Sequence, residues 1–270
     1  MFEIPKLWAG TLDSVDLLLD AMASAYAMVE ARAGSKDPFE LPPLVEVKDG
    51  VGIVSLKGPL VPGSAGFMRL FGITGYADFQ EALLEAATDK SVKSIMLDVA
   101  TPGGAVEGVD EASDMLRQVS ALKPVLAYAG GGMLSAGYWV GSGAGRRLAS
   151  RTASVGSIGV VVTHIEYSKR MEKDGVTPTV IRTGKWKALG GPYEPLSATA
   201  KEELQSRADD INVLFEQRVA TNLGVSQRQV HDKMGQGRVF MGAKALEVGL
   251  VDGIATFQEA FMTAKLMARS

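Results

Sequence analysis

Apolar and polar residues follow a pattern along the central part of the chain that alternates between strand and helix. Short apolar runs at residues 94–99 and 125–128 are typical of buried strands, and residues 109–122 between them have apolar side chains at helical spacing. Strands that alternate with helices form parallel βαβ units. The pattern therefore predicts an α/β fold, with a parallel sheet covered by helices on both faces.

Further strands and helices are predicted on both sides of this central part of the chain. Asp49 and Gly50 favour a tight turn between apolar residues 44–47 and 52–56, which predicts a β-hairpin. The other predicted strands are at residues 147–149, 158–162 and 179–182, and the other predicted helices are at 78–87, 166–174, 225–234 and 243–248, with a small-residue helix starting at Ser135.

The two ends of the chain are predicted to be helical. Thr199, with Glu202 three residues later, indicates a capping box at the start of a long helix. At the N-terminus, helical spacing predicts one apolar face, made of Leu12, Val15, Leu19, Met22 and Tyr26. We therefore expect an N-terminal helix and linker at residues 1–43, a main domain at 44–254 and a C-terminal helix at 255–270.

The composition narrows the possible functions. The chain has 270 residues and a net charge of −3, so no basic surface for nucleic acid is expected. It contains no cysteine, which excludes disulfides, a thiolate nucleophile and a zinc site with cysteine ligands. The apolar stretch at residues 17–29 contains Asp20 and is shorter than the roughly 20 residues that cross a bilayer, so no membrane anchor is expected.

Histidine chemistry has few candidates. A Ser-His-Asp hydrolase would have to use His164 or His231, the two histidines of the chain. His231 lies in a predicted polar helix, and His164 follows a strand, where a packed or hydrogen-bonded histidine is common. Neither is at metal-ligand spacing with other histidines or acids, so no metal site is predicted.

Two glycine-rich segments follow predicted strands. Gly103 and Gly104 could turn sharply and leave backbone N–H groups open, as an oxyanion hole or anion nest requires, or they could form an ordinary turn. Ser135 follows three glycines and could point its hydroxyl into a cleft beside the N–H of Ala136. The alternatives for Ser135 are a simple helix N-cap and a phosphate-binding turn, although the dinucleotide pattern of glycines is absent.

A third segment carries two lysines. Lys185 and Lys187 flank Trp186 after a predicted strand, so either lysine could be partly desolvated. Desolvation disfavours the ammonium form of a lysine, and the neutral amine could then accept a proton from a serine. The alternative is a solvated basic loop.

Together these motifs resemble, in the same order, the signal peptide peptidase A family of serine peptidases. Three segments resemble its phage branch, the lambda-type head maturation (prohead) proteases: Gly72-Ile73-Thr74-Gly75-Tyr76, Gly191-Pro192-Tyr193 and Leu204-Gln205-Ser206-Arg207. Residues 156–160 add a further shared motif, and the resemblance covers residues 44–252.

The resemblance implies a Clp protease/crotonase-like spiral of ββα units with a helical C-terminal part. It also implies a Ser-Lys dyad in which Ser135 is the nucleophile and Lys187 is the base. Gly104, supported by Gly103, and Ala136 would form the oxyanion hole, and no metal or cofactor would be needed.

The implied partners are protein or peptide substrates, with phage scaffold, portal or the chain itself as candidates, and further copies of the chain in a homo-oligomer. The implied location is the bacterial cytoplasm and the procapsid interior. The chain ends soon after the predicted main domain, so a scaffold-like extension is expected to be missing or a separate protein. Two rival functions stay open: a crotonase-type acyl-CoA enzyme, and a catalytically silent capsid or scaffold-binding protein.

Overall fold

The computed structural model describes residues 7–11, 13–31 and 41–268. Its strands are β1 Leu7–Gly10, β2 Val45–Lys48, β3 Val51–Lys57, β4 Leu60–Val61, β5 Thr74–Gly75, β6 Ser94–Thr101, β7 Gly103–Ala105, β8 Val125–Leu134, β9 Arg146–Ala149, β10 Ser154–Gly156, β11 Val161–Val162, β12 Val239–Met241 and β13 Gly253–Ile254. Its α-helices are α1 Asp13–Ala31, α2 Tyr76–Thr88, α3 Val109–Leu122, α4 Ala136–Gly141, α5 Ser168–Lys173, α6 Ala198–Leu223, α7 Gln227–Gln229, α8 Gly242–Val248 and α9 Phe257–Met267. A 3-10 helix forms at Gly66–Phe71 and a π-helical turn at Val230–Met234.

The larger sheet confirms the predicted parallel α/β architecture. Its strand order is β12-β10-β8-β6-β3-β2, and β3, β6 and β8 are parallel. The long strand β8 pairs with β9 in its first half and with β10 near its end. Helices α2, α3, α4 and α6 contribute to the main core on one face, and α9 packs on the other. Burial of both faces explains why the central strands are apolar throughout.

A second, five-stranded sheet was not expected from the sequence. Its order is β11-β1-β7-β4-β5, with β1 antiparallel to both of its neighbours. The segment that was predicted to turn at Gly103 and Gly104 instead forms β7, which follows β6 almost directly. This sheet therefore lies at the carboxyl end of β6, where active sites of open α/β folds are usually found.

The hairpin is confirmed, and other boundaries differ from the predictions. Residues Asp49 and Gly50 have φ of 53° and 80°, as a tight turn between β2 and β3 requires. No strand forms at residues 179–182, where Ile181 is 92% exposed. The N-cap of α6 is Ser197, whose hydroxyl accepts a hydrogen bond from the Ala200 N–H at 3.1 Å, so the predicted box at Thr199 is wrong.

The N-terminal helix α1 packs through a face that only partly matches the predicted one: Val15 and Met22 pack against the cluster around Trp8, as predicted. Leu19 and Tyr26 are 44% and 67% exposed, whereas the buried side chains are Leu18, Ala21 and Ala25. The two small alanines allow α1 to approach the 3-10 helix closely, and this neighbour decides which face is buried. Leu12 lies outside the described residues.

Within the described parts of the chain, none of the helices combines the length and the apolar character that a membrane crossing needs.

Candidate active site

Ser135 lies where β8 ends and α4 begins, and its backbone is strained. Its φ is 51° and its ψ is −120°, values that a non-glycine residue rarely adopts. Its N–H donates to the Gly156 carbonyl at 2.8 Å, and its carbonyl accepts from the N–H groups of Tyr138 and Trp139 at 2.8 and 2.9 Å. Strain of this kind costs about 1–3 kcal/mol and persists only where the surroundings fix the backbone.

The Ser135 hydroxyl has no hydrogen-bond partner among the described residues, although the residue is only 1% exposed. It makes no capping hydrogen bond to α4. A simple N-cap would have used the hydroxyl in this way, so that alternative is not supported. A buried hydroxyl without a partner costs about 1–3 kcal/mol, which is typical of sites kept for chemistry rather than stability.

Close packing holds α4 on the end of β6. A Cβ added at Gly137 would overlap Thr101 Cγ2, and one added at Gly141 would lie 2.5 Å from the Met133 sulfur. The Tyr138 hydroxyl donates to the Leu250 carbonyl at 2.8 Å, and burial raises the pKa of this phenol. The serine is therefore placed by a rigid part of the fold.

Gly103 and Gly104 form the wall beside Ser135. Gly103 has a φ of 101°, and a Cβ on it would lie 2.8 Å from the Ser135 Cβ. The Gly103 N–H donates to Thr101 Oγ1 at 3.0 Å, so it already has an acceptor. Gly103 therefore contributes to the shape of the site and not a free N–H group. A Cβ on Gly104 would overlap the Leu60 carbonyl oxygen. Ala136 is the first residue of α4 and remains a predicted oxyanion donor, since the first N–H groups of a helix lack intrahelical acceptors. Gly104, which lies in β7, remains the other predicted donor.

The segment that carries Lys185 and Lys187 is exposed to solvent, in contrast to the buried surroundings of Ser135. Lys185, Trp186 and Lys187 are all exposed in the single chain, so the expected desolvation of the lysines is not seen there. The Lys185 ammonium lies over the Trp186 ring at 4.7 Å, and the Lys187 N–H donates to the Gly184 carbonyl at 3.1 Å. Because Ser135 Oγ has no partner, Lys187 is not hydrogen-bonded to it.

The two histidines are engaged elsewhere. His164 Nε2 lies 3.2 Å from the Gly191 carbonyl oxygen, and His231 Nδ1 lies 2.9 Å from Glu216 Oε1. Neither is hydrogen-bonded to the Ser135 hydroxyl, which has no partner within the described parts of the chain. No group of three potential metal ligands occurs among the residues that the structure describes.

Sequence analysis missed two contributors to the site. Thr101 fixes the Gly103 backbone and contacts Gly137; the sequence shows it only as the first residue of the Thr101-Pro102-Gly103-Gly104 motif, without a role of its own. The strand β1 lies directly against β7, with Gly10 opposite Gly103. Nothing in the four residues of β1 indicates a pairing with residues so distant in the chain.

This fold and site define an α/β protein of the crotonase type with a serine held at a strand-to-helix junction. A crystal structure described as an enoyl-CoA hydratase/isomerase from Acinetobacter baumannii is similar, with a TM-score of 0.50, 17% identity, and coverage of 85% of this chain and 83% of that one. At this identity the similarity confirms the fold alone.

The chain belongs to Peptidase family S49, whose model matches residues 117–269. The capsid assembly protease C of Escherichia phage lambda is 37% identical over 80% of this chain and 48% of that protein. The head-tail preconnector protein GP5 of Enterobacteria phage P21 is 31% identical over 86% of this chain and 45% of that protein. The chain thus spans about half the length of these relatives, and the family predicted from the motifs is confirmed.

Proposed function

We propose that the chain is a serine endopeptidase of phage head maturation, with Ser135 as nucleophile and Lys187 as general base. The observation that carries this proposal is the buried Ser135 hydroxyl, which has no partner among the described residues, on a strained strand-to-helix junction that Gly103 approaches closely. The names of the two phage relatives support capsid-related protein substrates. The proposed candidates are scaffold, portal or the chain itself. The division into residues 1–43, 44–254 and 255–270 stays part of this proposal.

The reaction is acyl transfer to serine. The neutral amine of Lys187 takes the hydroxyl proton of Ser135, and Oγ attacks the peptide carbonyl carbon. The N–H groups of Gly104 and Ala136 hold the oxyanion, and Lys187 returns the proton to the leaving amine. Water then hydrolyses the acyl-serine. Removal of one oxyanion donor typically costs about 10²- to 10³-fold in turnover.

Lys187 must approach Ser135 either by movement of its own segment or from a second copy of the chain. Large apolar side chains on this segment are exposed, namely Ile165, Tyr167, Val176, Ile181, Trp186 and Tyr193. An exposed apolar surface of this kind is typical of a protein contact. We therefore propose a homo-oligomer in which residues 163–197 dock on another copy, an environment that would also desolvate the lysine.

The dyad is tested with three variants incubated with an unfolded protein or a scaffold protein. Ser135→Ala and Lys187→Ala should abolish cleavage, and Lys185→Ala is the matched control that should retain it. Cleavage should increase from mildly acidic to alkaline pH, because only an unprotonated amine accepts the proton. Retained cleavage by Lys187→Ala would exclude this lysine as the base.

A mixture of two inactive variants tests how the lysine is supplied. If Lys187 acts on another copy, mixed oligomers of Ser135→Ala and Lys187→Ala contain some intact sites, and part of the activity returns. If the segment folds onto its own Ser135, the mixture remains inactive. Separate incubation of each variant is the control.

A further inference from the structure

The strand β1 fills a gap between two strands that border the candidate active site. Trp8 pairs with Val161 of β11 on one side and with Ala105 of β7 on the other, and both pairings are antiparallel. Ala9 pairs with Gly104. An extended peptide that adds to exposed strand edges makes this same kind of backbone contact.

The end of β1 runs past the nucleophile. A Cβ added at Gly103 would overlap the Ala9 carbonyl oxygen and would lie 2.8 Å from both Gly10 Cα and Ser135 Cβ. The Thr11 N–H donates to the Pro102 carbonyl at 3.1 Å and fixes the chain just beyond this point. The peptide unit between Ala9 and Gly10 therefore lies in the space beside Ser135. Ser135 is 1% exposed in the structure that contains β1, so another peptide would need β1 to move aside.

The side chains of β1 are anchored on opposite faces of the strand. Trp8 is 5% exposed and packs in a cluster with Leu18, Ala21 and Ile73. Ala9 is fully buried and belongs to the main core. The Trp8 cluster leaves room for a large apolar side chain, whereas the position of Ala9 accepts only a small one.

We propose that residues 7–10 are a built-in pseudosubstrate that occupies the peptide-binding groove and must leave before another peptide binds. The inference rests on the proposed function, since it takes Ser135 as the nucleophile. It also defines the substrate: an extended peptide with a small residue at the position of Ala9 and a large apolar residue before it. The helix α1 holds the pseudosubstrate through Leu18 and Ala21.

The test measures peptide binding in the Ser135→Ala background, in which neither the strand nor the peptide is cut. A fluorescent peptide with the sequence of residues 6–11 is titrated against the full chain and against a variant that lacks residues 1–11. Fluorescence anisotropy should show binding at least about tenfold tighter for the deletion variant. Equal affinity for the two chains, or no binding to the deletion variant, would overturn the proposal.

A second pair of variants keeps the test valid if the deletion disturbs folding. Trp8→Ala in the full chain removes the main anchor of β1 and should increase peptide affinity. Tyr26→Ala is the matched control, because this aromatic side chain of α1 is 67% exposed, and it should leave the affinity unchanged. An unchanged affinity in Trp8→Ala would contradict the role of β1.

The binding result is independent of catalysis, so the two proposals can fail separately. With Ser135 intact, a deletion variant that binds the peptide tightly but cuts nothing would refute the peptidase activity. It would not refute the proposal that residues 7–10 occupy the peptide-binding groove. A deletion variant that cuts protein while both chains bind the peptide equally would refute the pseudosubstrate alone.

Discussion

Ser135 and Lys187 lie in two regions that are built in opposite ways. Ser135 is 1% exposed and is fixed by backbone hydrogen bonds on both sides, where β8 meets α4. Lys187 is exposed, in an irregular segment where Ile181 is 92% exposed. The difference indicates that one chain can place the proposed nucleophile alone, whereas the proposed base would depend on a further contact. Substitutions near Ser135 should therefore affect folding, and substitutions near Lys187 should affect assembly.

The largest expected effect is that of Ser135→Ala. Loss of the nucleophile should lower turnover on the order of 10⁶-fold. The same change removes a buried hydroxyl that has no partner among the described residues, so the free energy of unfolding should stay the same or increase by about 1 kcal/mol. Turnover assays and urea unfolding measure the two effects.

Ser142→Ala is the matched control for this prediction. Ser142 is also buried, but its hydroxyl donates to the Trp139 carbonyl at 2.8 Å and accepts from Asn222 Nδ2 at 2.9 Å. Its removal takes away both hydrogen bonds, while the Trp139 carbonyl keeps the one from the Ser113 hydroxyl at 2.9 Å, so the free energy of unfolding should fall by about 1 kcal/mol. If both serine variants were destabilised equally, the Ser135 hydroxyl would have a partner that the structure does not show.

The region around Ser135 could be predicted from the sequence better than the elements that surround it. The placement of Ser135 follows from a local pattern, an apolar strand and glycines followed by a helix, and the Asp49-Gly50 hairpin is equally local. The strand β1 could not be found in this way, because it pairs with residues about 95 and 155 positions away and has no alternation of its own.

The lysine segment misled the prediction for a physical reason. Thr179 to Arg182 has the composition of a strand, but it pairs with none of the described strands, and a strand without a partner leaves its backbone groups unpaired. Likewise, the buried face of α1 depends on which element it packs against and not on its own periodicity alone.

A smaller effect than that of Ser135→Ala should come from filling the contact that holds α4 on β6. In Gly137→Ala the new Cβ would overlap Thr101 Cγ2, so α4 must shift, and the free energy of unfolding should fall by about 1–3 kcal/mol. Turnover should fall as well, because the Ala136 N–H moves. Gly131→Ala is the control, since a Cβ there has no heavy atom within 4 Å. Equal stability of the two variants, measured in urea, would show that α4 is not held tightly.

A smaller effect is expected from the ion pairs that join α3 and α6 behind the site. Arg218 contacts Asp110 at 2.8 Å and Asp114 at 2.9 Å. Hydrogen bonds from Arg117, Gln118 and Arg218 lower the pKa of Asp114. A lowered carboxyl pKa contributes stability that is present above the unfolded value of about 3.9 and is lost as the pH falls through the folded value.

Asp114→Asn should therefore cost about 0.2–1 kcal/mol at neutral pH and much less at a pH below both values. Urea unfolding at the two pH values, for the wild type and the variant, gives the difference. An identical cost of the substitution at both pH values would mean that the charge of Asp114 does not stabilise the fold.

The smallest effect on folding should come from the lysine segment. Ile181→Ala should change the free energy of unfolding of the single chain by less than about 0.5 kcal/mol, because its side chain is 92% exposed. Ile158→Ala, at a fully buried position near the site, should cost about 2–5 kcal/mol of unfolding free energy.

If residues 163–197 dock on another copy, Ile181→Asp should weaken self-association in sedimentation and lower activity, although the fold is unaffected. A variant that assembles and cleaves normally would mean that Ile181 takes no part in bringing Lys187 to its serine.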